Sequence, residues 1–177
     1  MATLRSLIAA CLVSSAPLTA FADCSADSPT VPGPQHKALR EFEAQTTSAP
    51  FYRELAGKSE AAASCALRRN GDNMILLYTF ANGGRLQATV NPVTEFAEQR
   101  AAFHLISEQR ALALLRDAEK HAFGPDDCGI EWEQPEKEES AAGRSSEIVY
   151  RGDTCNCQAR QLIKDGRIIA LVLRSAC

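Results

Sequence analysis

The residues of this 177-residue chain that could do chemistry are its cysteines, its histidines and a run of glutamates. Cys155 and Cys157 stand one residue apart, with Cys177 close behind. Three chemistries suit such a cluster: a redox pair, a metal site, or structural cross-links. A reactive redox thiol needs an exposed, electropositive setting, most often Cys-x-x-Cys at a helix start, and this spacing does not supply it. Zinc sites pair their ligands as C-x2-C with a second pair elsewhere, a pattern the sequence lacks. In an extended strand, residues i and i+2 lie roughly 6.6 Å apart on one face with parallel side chains, at the limit of disulfide reach. Cys155 and Cys157 are therefore expected to bond to other segments, such as Cys128 and either Cys65 or Cys24, and not to each other.

The histidines after the leader are His36, His104 and His121, and none belongs to an H-E-x-x-H pair. No serine occupies a G-x-S-x-G elbow. Glu119 and His121 are two apart on a predicted helix and so point to different faces; a histidine near a helix C-terminus has an ordinary electrostatic role there. Glu131 and Glu133 would share a side if extended, as glycosidase carboxylates must, but a flexible acidic loop is a poor catalytic frame. Gly83-Gly84 reads as a hairpin turn, since a phosphate cradle sits between strand and helix. No catalytic, cofactor or metal site is predicted, and a non-enzymatic role is expected. The remaining candidate is Trp132, the sole tryptophan, set among Glu131, Glu133, Glu136, Glu138 and Glu139. It reads either as a packing anchor or as a contact residue ringed by carboxylates that would steer a basic partner.

The compartment decides how the cysteines are read. Residues 1–22 carry one positive charge, Arg5, then an apolar run from Leu7 to Val13 and a small-x-small ending, Ala20-Phe21-Ala22, the pattern of a cleavable secretory signal. The run is too short to span a membrane, which takes about 20 apolar residues. Cys11 follows a lipobox-like Ile8-Ala9-Ala10, but its apolar lead is shorter than a signal requires. Of seven cysteines, loss of Cys11 leaves six: Cys24, Cys65, Cys128, Cys155, Cys157 and Cys177. An even set in an oxidising compartment predicts disulfides, here three. Loss of Arg5 takes the formal charge from −3 to −4, which argues against nucleic acid as a partner. The mature protein, from Asp23, is expected in the periplasm with no membrane span.

The elements that must position these residues fit one α+β domain over residues 23–177. Residues 23–34, rich in Ser, Pro and Gly, read as an extended lead-in. Two short helices follow, broken near residues 46–49, with Pro50 opening the second and Gly57 ending it. Residues 65–91 read as three strands joined by Asn70-Gly71-Asp72-Asn73 and Asn82-Gly83-Gly84. A three-residue loop at 82–84 would set Phe80 against Leu86, Tyr78 against Ala88 and Leu76 against Val90, gathering the large apolar residues on one face. Asn91-Pro92 is expected to stop the sheet, and Thr94–Leu105 to form a helix. A second helix is expected from Ser107 to Phe123, buried through Ala111, Leu112, Leu115, Ala118 and Ala122. Residues 131–146 predict a mobile acidic loop. Strands at Glu147–Ile163 and Arg167–Cys177 close the chain around Asp165-Gly166, with Ala159 opposite Val172, Cys157 opposite Arg174 and Cys155 opposite Ala176. Ile168–Leu173 is apolar on both faces and so predicts a central strand. The whole suggests a mostly antiparallel sheet, a meander plus a hairpin of five strands in all, with helices on one side and disulfide staples.

With its Ala20-Phe21-Ala22 signal end, six mature cysteines and acidic segment around Trp132, the chain resembles in general profile the periplasmic immunity proteins that protect bacteria against type VI secretion toxins. The resemblance rests on size, export and cysteine usage and includes no diagnostic motif. It implies a protein that binds and blocks a secreted toxin or hydrolase acting on wall, lipid or peptide. The alternatives are a lysozyme inhibitor, a small periplasmic hydrolase and an envelope-assembly factor.

Overall fold

The computed structural model describes residues 33–59, 61–123, 128–139 and 145–176. The leader and its cleavage site, most of the expected lead-in, Cys24 and Cys177 lie outside these residues. Two helices come first, α1 (Gly33–Ser48) and α2 (Pro50–Ala56). Pro50 opens α2, where its missing N–H costs nothing, and Gly57 ends it at φ 55°. The helical residues Gly33 and Pro34 shorten the expected lead-in from its C-terminal end.

A four-stranded meander follows: β1 (Ser64–Asn70), β2 (Asn73–Thr79), β3 (Arg85–Asn91) and β4 (Phe96–Ala102). The β2–β3 loop has the expected three residues but sits one position earlier, at Ala81-Asn82-Gly83. Phe80 N–H donates to the Gly84 carbonyl, and Gly83 takes the left-handed conformation at φ 81°. The pairing therefore slides by two residues, to Tyr78 with Leu86 and Leu76 with Ala88. A shift of two keeps every side chain on its face, and the apolar cluster survives. Asn82 holds the loop: its Nδ2 donates to the Leu55 carbonyl of α2 at 3.0 Å, and its Oδ1 accepts from Gly84 N–H at 2.9 Å.

The helix expected at Thr94–Leu105 is instead strand β4. Its alanines, glutamates and glutamine favour helix by propensity, but the residues alternate. Phe96, Glu98, Arg100 and Ala102 share one face; Ala97, Gln99 and Ala101 share the other. Ala88 and Ala101, both fully buried, give flat ground on which α2 approaches β3 and β4. The alanines serve close packing here, and tertiary context overrides propensity.

Helix α3 (Glu108–Phe123) begins where Ser107 Oγ accepts from Arg110 N–H at 3.3 Å. It buries Ala111, Leu114, Leu115 and Ala118, so Leu114 takes the place expected of Leu112, while Ala122 stays exposed. Arg110 of α3 makes a forked contact with Glu54 of α2, at 2.6 and 3.3 Å.

The acidic segment is a second correction. Glu136–Glu139 is strand β5, paired to β6 (Ser145–Arg151) and not a mobile loop; residues 140–144 lie outside the described residues. The expected Glu147–Ile163 strand is two strands, β6 and β7 (Gln158–Lys164), and β8 (Arg167–Ala176) closes the set. Asp165 and Gly166 both have positive φ, 51° and 74°, as a tight two-residue hairpin requires. The expected register holds for Lys164–Arg167 and Ile163–Ile168. A bulge then adds one residue, so Ala159 faces Leu173 and Gln158 faces Arg174.

All eight strands form one antiparallel sheet in the order β1-β2-β3-β4-β8-β7-β6-β5. The hairpin thus joins the meander within eight strands where five were expected. Central β8, between β4 and β7, accounts for its two-sided apolar character. The helices cover one face, over a core that includes Phe51, Leu55, Tyr78, Leu86, Leu115 and Leu171. Tyr52 meets Tyr78 and Phe80 edge-on at 5.2 Å, and its hydroxyl accepts from Ala62 N–H. Among the described residues no helix is long and apolar enough to cross a membrane.

Candidate functional site

Cys128 is bonded to Cys157, with α-carbons 5.6 Å apart, so Cys155 and Cys157 do indeed serve different partners. Cys65 and Cys155 are disulfide-bonded as well. Cys155 lies outside β7, in a tight turn where it and Asn156 have φ 48° and 50°; its carbonyl still accepts from Ala176 N–H at 2.8 Å. Gly152 N–H donates to the Cys157 carbonyl, and a Cβ on Gly152 would overlap the Cys128 carbonyl oxygen. The backbone around the cross-link is thus packed to contact.

The chain leaving Cys128 bridges Ile130 to Gly152 and then presents Trp132. One carboxylate organises this turn: Glu119 of α3 accepts from Ile130 N–H at 3.2 Å and from Trp132 Nε1 at 3.0 Å. The indole lies 5.1 Å from the Tyr150 ring, with the Arg116 guanidinium 5.5 Å from its centroid. Trp132 is half-buried and packs against the core on the helix side. Burial, aided by the Glu108 carboxylate, raises the Tyr150 phenol above its usual pKa.

Most of the glutamates are paired. Glu136 and Glu138 each meet Arg151 at 2.9 Å, and Glu147 meets Arg160 at 3.1 Å. Glu139 meets Lys137 at 3.0 Å and Glu133 meets Arg116 at 3.7 Å. The Glu136 hydrogen bond, more than the charges of Glu136 and Glu138, raises the Arg151 pKa. Exposed pairs of this kind add little stability, but they leave less uncompensated negative charge than the sequence suggests. Glu131 is exposed.

The face of the sheet away from the helices carries a different pattern. Strand register sets its side chains in rows across the sheet, because directly paired residues share a face. One row runs Arg68, Ile75, Thr89, Glu98, Arg174, Gln158 and Arg151. The next runs Ala66, Leu77, Gln87, Arg100, Val172, Arg160, Val149 and Glu136. Arg85 stands in a third, beside Ala102. Long polar side chains roof the small apolar ones, leaving Val149 at 0% and Val172 at 7% exposure. Charge divides this face. Across β5 to β7, glutamates and arginines pair; across β1 to β4 and β8, Arg68, Arg85, Arg100 and Arg174 face Glu98 alone. Arg174 lies 5.2 Å from the Phe96 ring, whereas the exposed Arg68, Arg85 and Arg100 have no ion pair among the described residues.

The helix expected over residues 94–105 scattered Glu98 and Arg100 over different faces, where the alternation of β4 puts them on one; Arg68 and Arg85 were already in expected strands, but their shared face with Arg100 depends on the pairing of β3 with β4. His121 Nε2 lies 3.2 Å from Ser48 Oγ, His104 is exposed between β4 and α3, and the side chain of His36 lies outside the described residues. No set of three or more metal-ligating side chains converges among the described residues. Comparison with family models, with curated proteins and with solved structures finds no match.

Proposed function

We propose that this chain is an exported, disulfide-stapled binding protein of the immunity type, which neutralises an envelope-targeting toxin by covering it with the helix-free face of the sheet. The observation that carries the reading is the set of arginines without an ion pair among the described residues, Arg68, Arg85 and Arg100, held by antiparallel strands on one broad face. Side chains on a rigid sheet keep their spacing, which favours protein recognition over a mobile tail. Arginine also suits contact surfaces, because its planar fork binds carboxylates in a bidentate way. In a chain of net charge −3, a locally basic face selects an acidic partner surface and speeds its approach. Export to an oxidising compartment is supported by the Cys128–Cys157 bond and by the bonded state of Cys65 and Cys155.

The test is co-expression with exported toxins encoded beside this gene. Restored growth with the wild-type chain, lost when Arg85→Glu and Arg100→Glu are combined in a protein that still folds, is the expected result. Rescue that survives the double reversal removes this face from the interface. Inhibition of lysozyme by the purified protein, without rescue, turns the reading toward the lysozyme inhibitor.

A further inference from the structure

Cys65 and Cys155 are both disulfide-bonded, and their places in the sheet decide with what. Cys65 lies on edge strand β1, in the row Cys65, Tyr78, Leu86, Ala101 and Leu171. Four strand spacings, roughly 19 Å in all, separate it from Leu171 on β8. Cys155 touches the far end of β8, where its carbonyl accepts from Ala176 N–H, roughly 16 Å further along the strand from Leu171. The α-carbons of a disulfide lie within about 7 Å of each other, so Cys65 cannot reach Cys155. Nor can it reach Cys177, which follows Ala176 directly, because one residue adds only about 3.8 Å. Cys128 and Cys157 are taken by each other. Of the six cysteines expected after the leader, only Cys24 is left for Cys65.

We propose that the two remaining cross-links are Cys24–Cys65 and Cys155–Cys177. The second has independent support. Ala176 N–H is hydrogen-bonded to the Cys155 carbonyl at 2.8 Å, so the next residue, Cys177, starts within disulfide reach of Cys155. The first is within the length of its tether, because the chain from Cys24 to Gly33, the first residue of α1, spans up to about 30 Å. Each bridge forms by exchange with a protein disulfide oxidant of the exporting compartment. One cysteine thiolate attacks that disulfide, the second cysteine displaces the oxidant's sulfur, and two electrons and two protons leave with the oxidant as its pair of thiols. The fold is then fastened at both ends: the lead-in to the edge strand that carries Arg68, and central β8 to the turn ahead of β7. The pairing does not rest on the docking role proposed above.

The experiment maps the exported full-length chain by mass spectrometry without reduction, after free thiols have been blocked with N-ethylmaleimide. Trypsin cuts after Lys37, Lys58 and Arg68, so the peptides of Cys24 and Cys65 are expected as one cross-linked pair. It also cuts after Lys137, Arg151, Arg160 and Arg174 but not between Cys155 and Cys157. The peptide holding those two cysteines is therefore expected in one trio with the peptides of Cys128 and Cys177, and electron-transfer fragmentation between Cys155 and Cys157 should place the Cys177 peptide on Cys155. As a second measurement, in denaturant without reductant, Cys24→Ser should expose one new maleimide-reactive thiol, at Cys65, and Cys177→Ser one at Cys155. Cys65 linked to any cysteine other than Cys24, Cys65 or Cys155 recovered as a blocked thiol from wild type, or the Cys177 peptide attached to Cys157 would overturn the proposal.

Discussion

Replacing both Cys128 and Cys157 by alanine tests the cross-link that ties the start of the Trp132 turn to the start of β7. The bond closes a loop with a sequence separation of 29. In the chain-entropy treatment such a loop removes about 12 cal/mol/K from the denatured state, or about 3.6 kcal/mol at 25 °C. Both cysteines are buried, at 2% and 1% exposure, so removing their sulfurs adds about 1 kcal/mol of lost packing. With a urea dependence of about 2 kcal/mol per molar, the unfolding midpoint should fall by about 2 M. The melting temperature should drop by about 9–18 °C. Trp132, the single tryptophan, sits in the affected turn and reports unfolding by fluorescence. A midpoint lowered by less than about 0.5 M, with m unchanged, would show that neighbouring contacts hold this turn without the bond and would refute the reasoning.

Two further changes probe the same end of the molecule. Gly152→Ala drives a Cβ into the Cys128 carbonyl and should destabilise by about 1–3 kcal/mol; a chemical-denaturation midpoint equal to wild type would show that the turn yields. Because burial raises the Tyr150 pKa above 10.0, the folded state favours the neutral phenol. That contribution is complete below the unfolded pKa and disappears as pH rises through the folded one. Urea midpoints from about pH 9 upward should therefore fall more steeply for wild type than for Tyr150→Phe, and parallel slopes would contradict the assignment.

Local rules recovered what local physics controls. Asp165-Gly166 turns as a two-residue hairpin because both residues must take positive φ, and Ser107 caps α3 because its hydroxyl reaches an otherwise unpaired N–H. Cys155 and Cys157 do have different partners, but not for the strand geometry expected of them, since Cys155 and Asn156 turn at φ 48° and 50° ahead of β7. The one-residue error in placing the β2–β3 loop did no harm to the core, since a two-residue slide in register preserves the faces. The failures share a cause. Residues 96–102 have helical composition, and Glu136–Glu139 has the composition of a solvated loop, yet each is a strand because a neighbouring strand offers it a ladder.

The amino-acid order alone determined the turns, the caps and the alternation of apolar residues, since each depends on groups a few residues apart. The tertiary structure decided that β4 and β8 pair at the centre of one sheet, that Glu136 and Glu138 of β5 meet Arg151, that Cys157 bonds Cys128, and that Arg68, Arg85 and Arg100 share a face. Those outcomes rest on hydrogen bonds and charges between segments distant in sequence, whose energies exist only once the chain has brought them together.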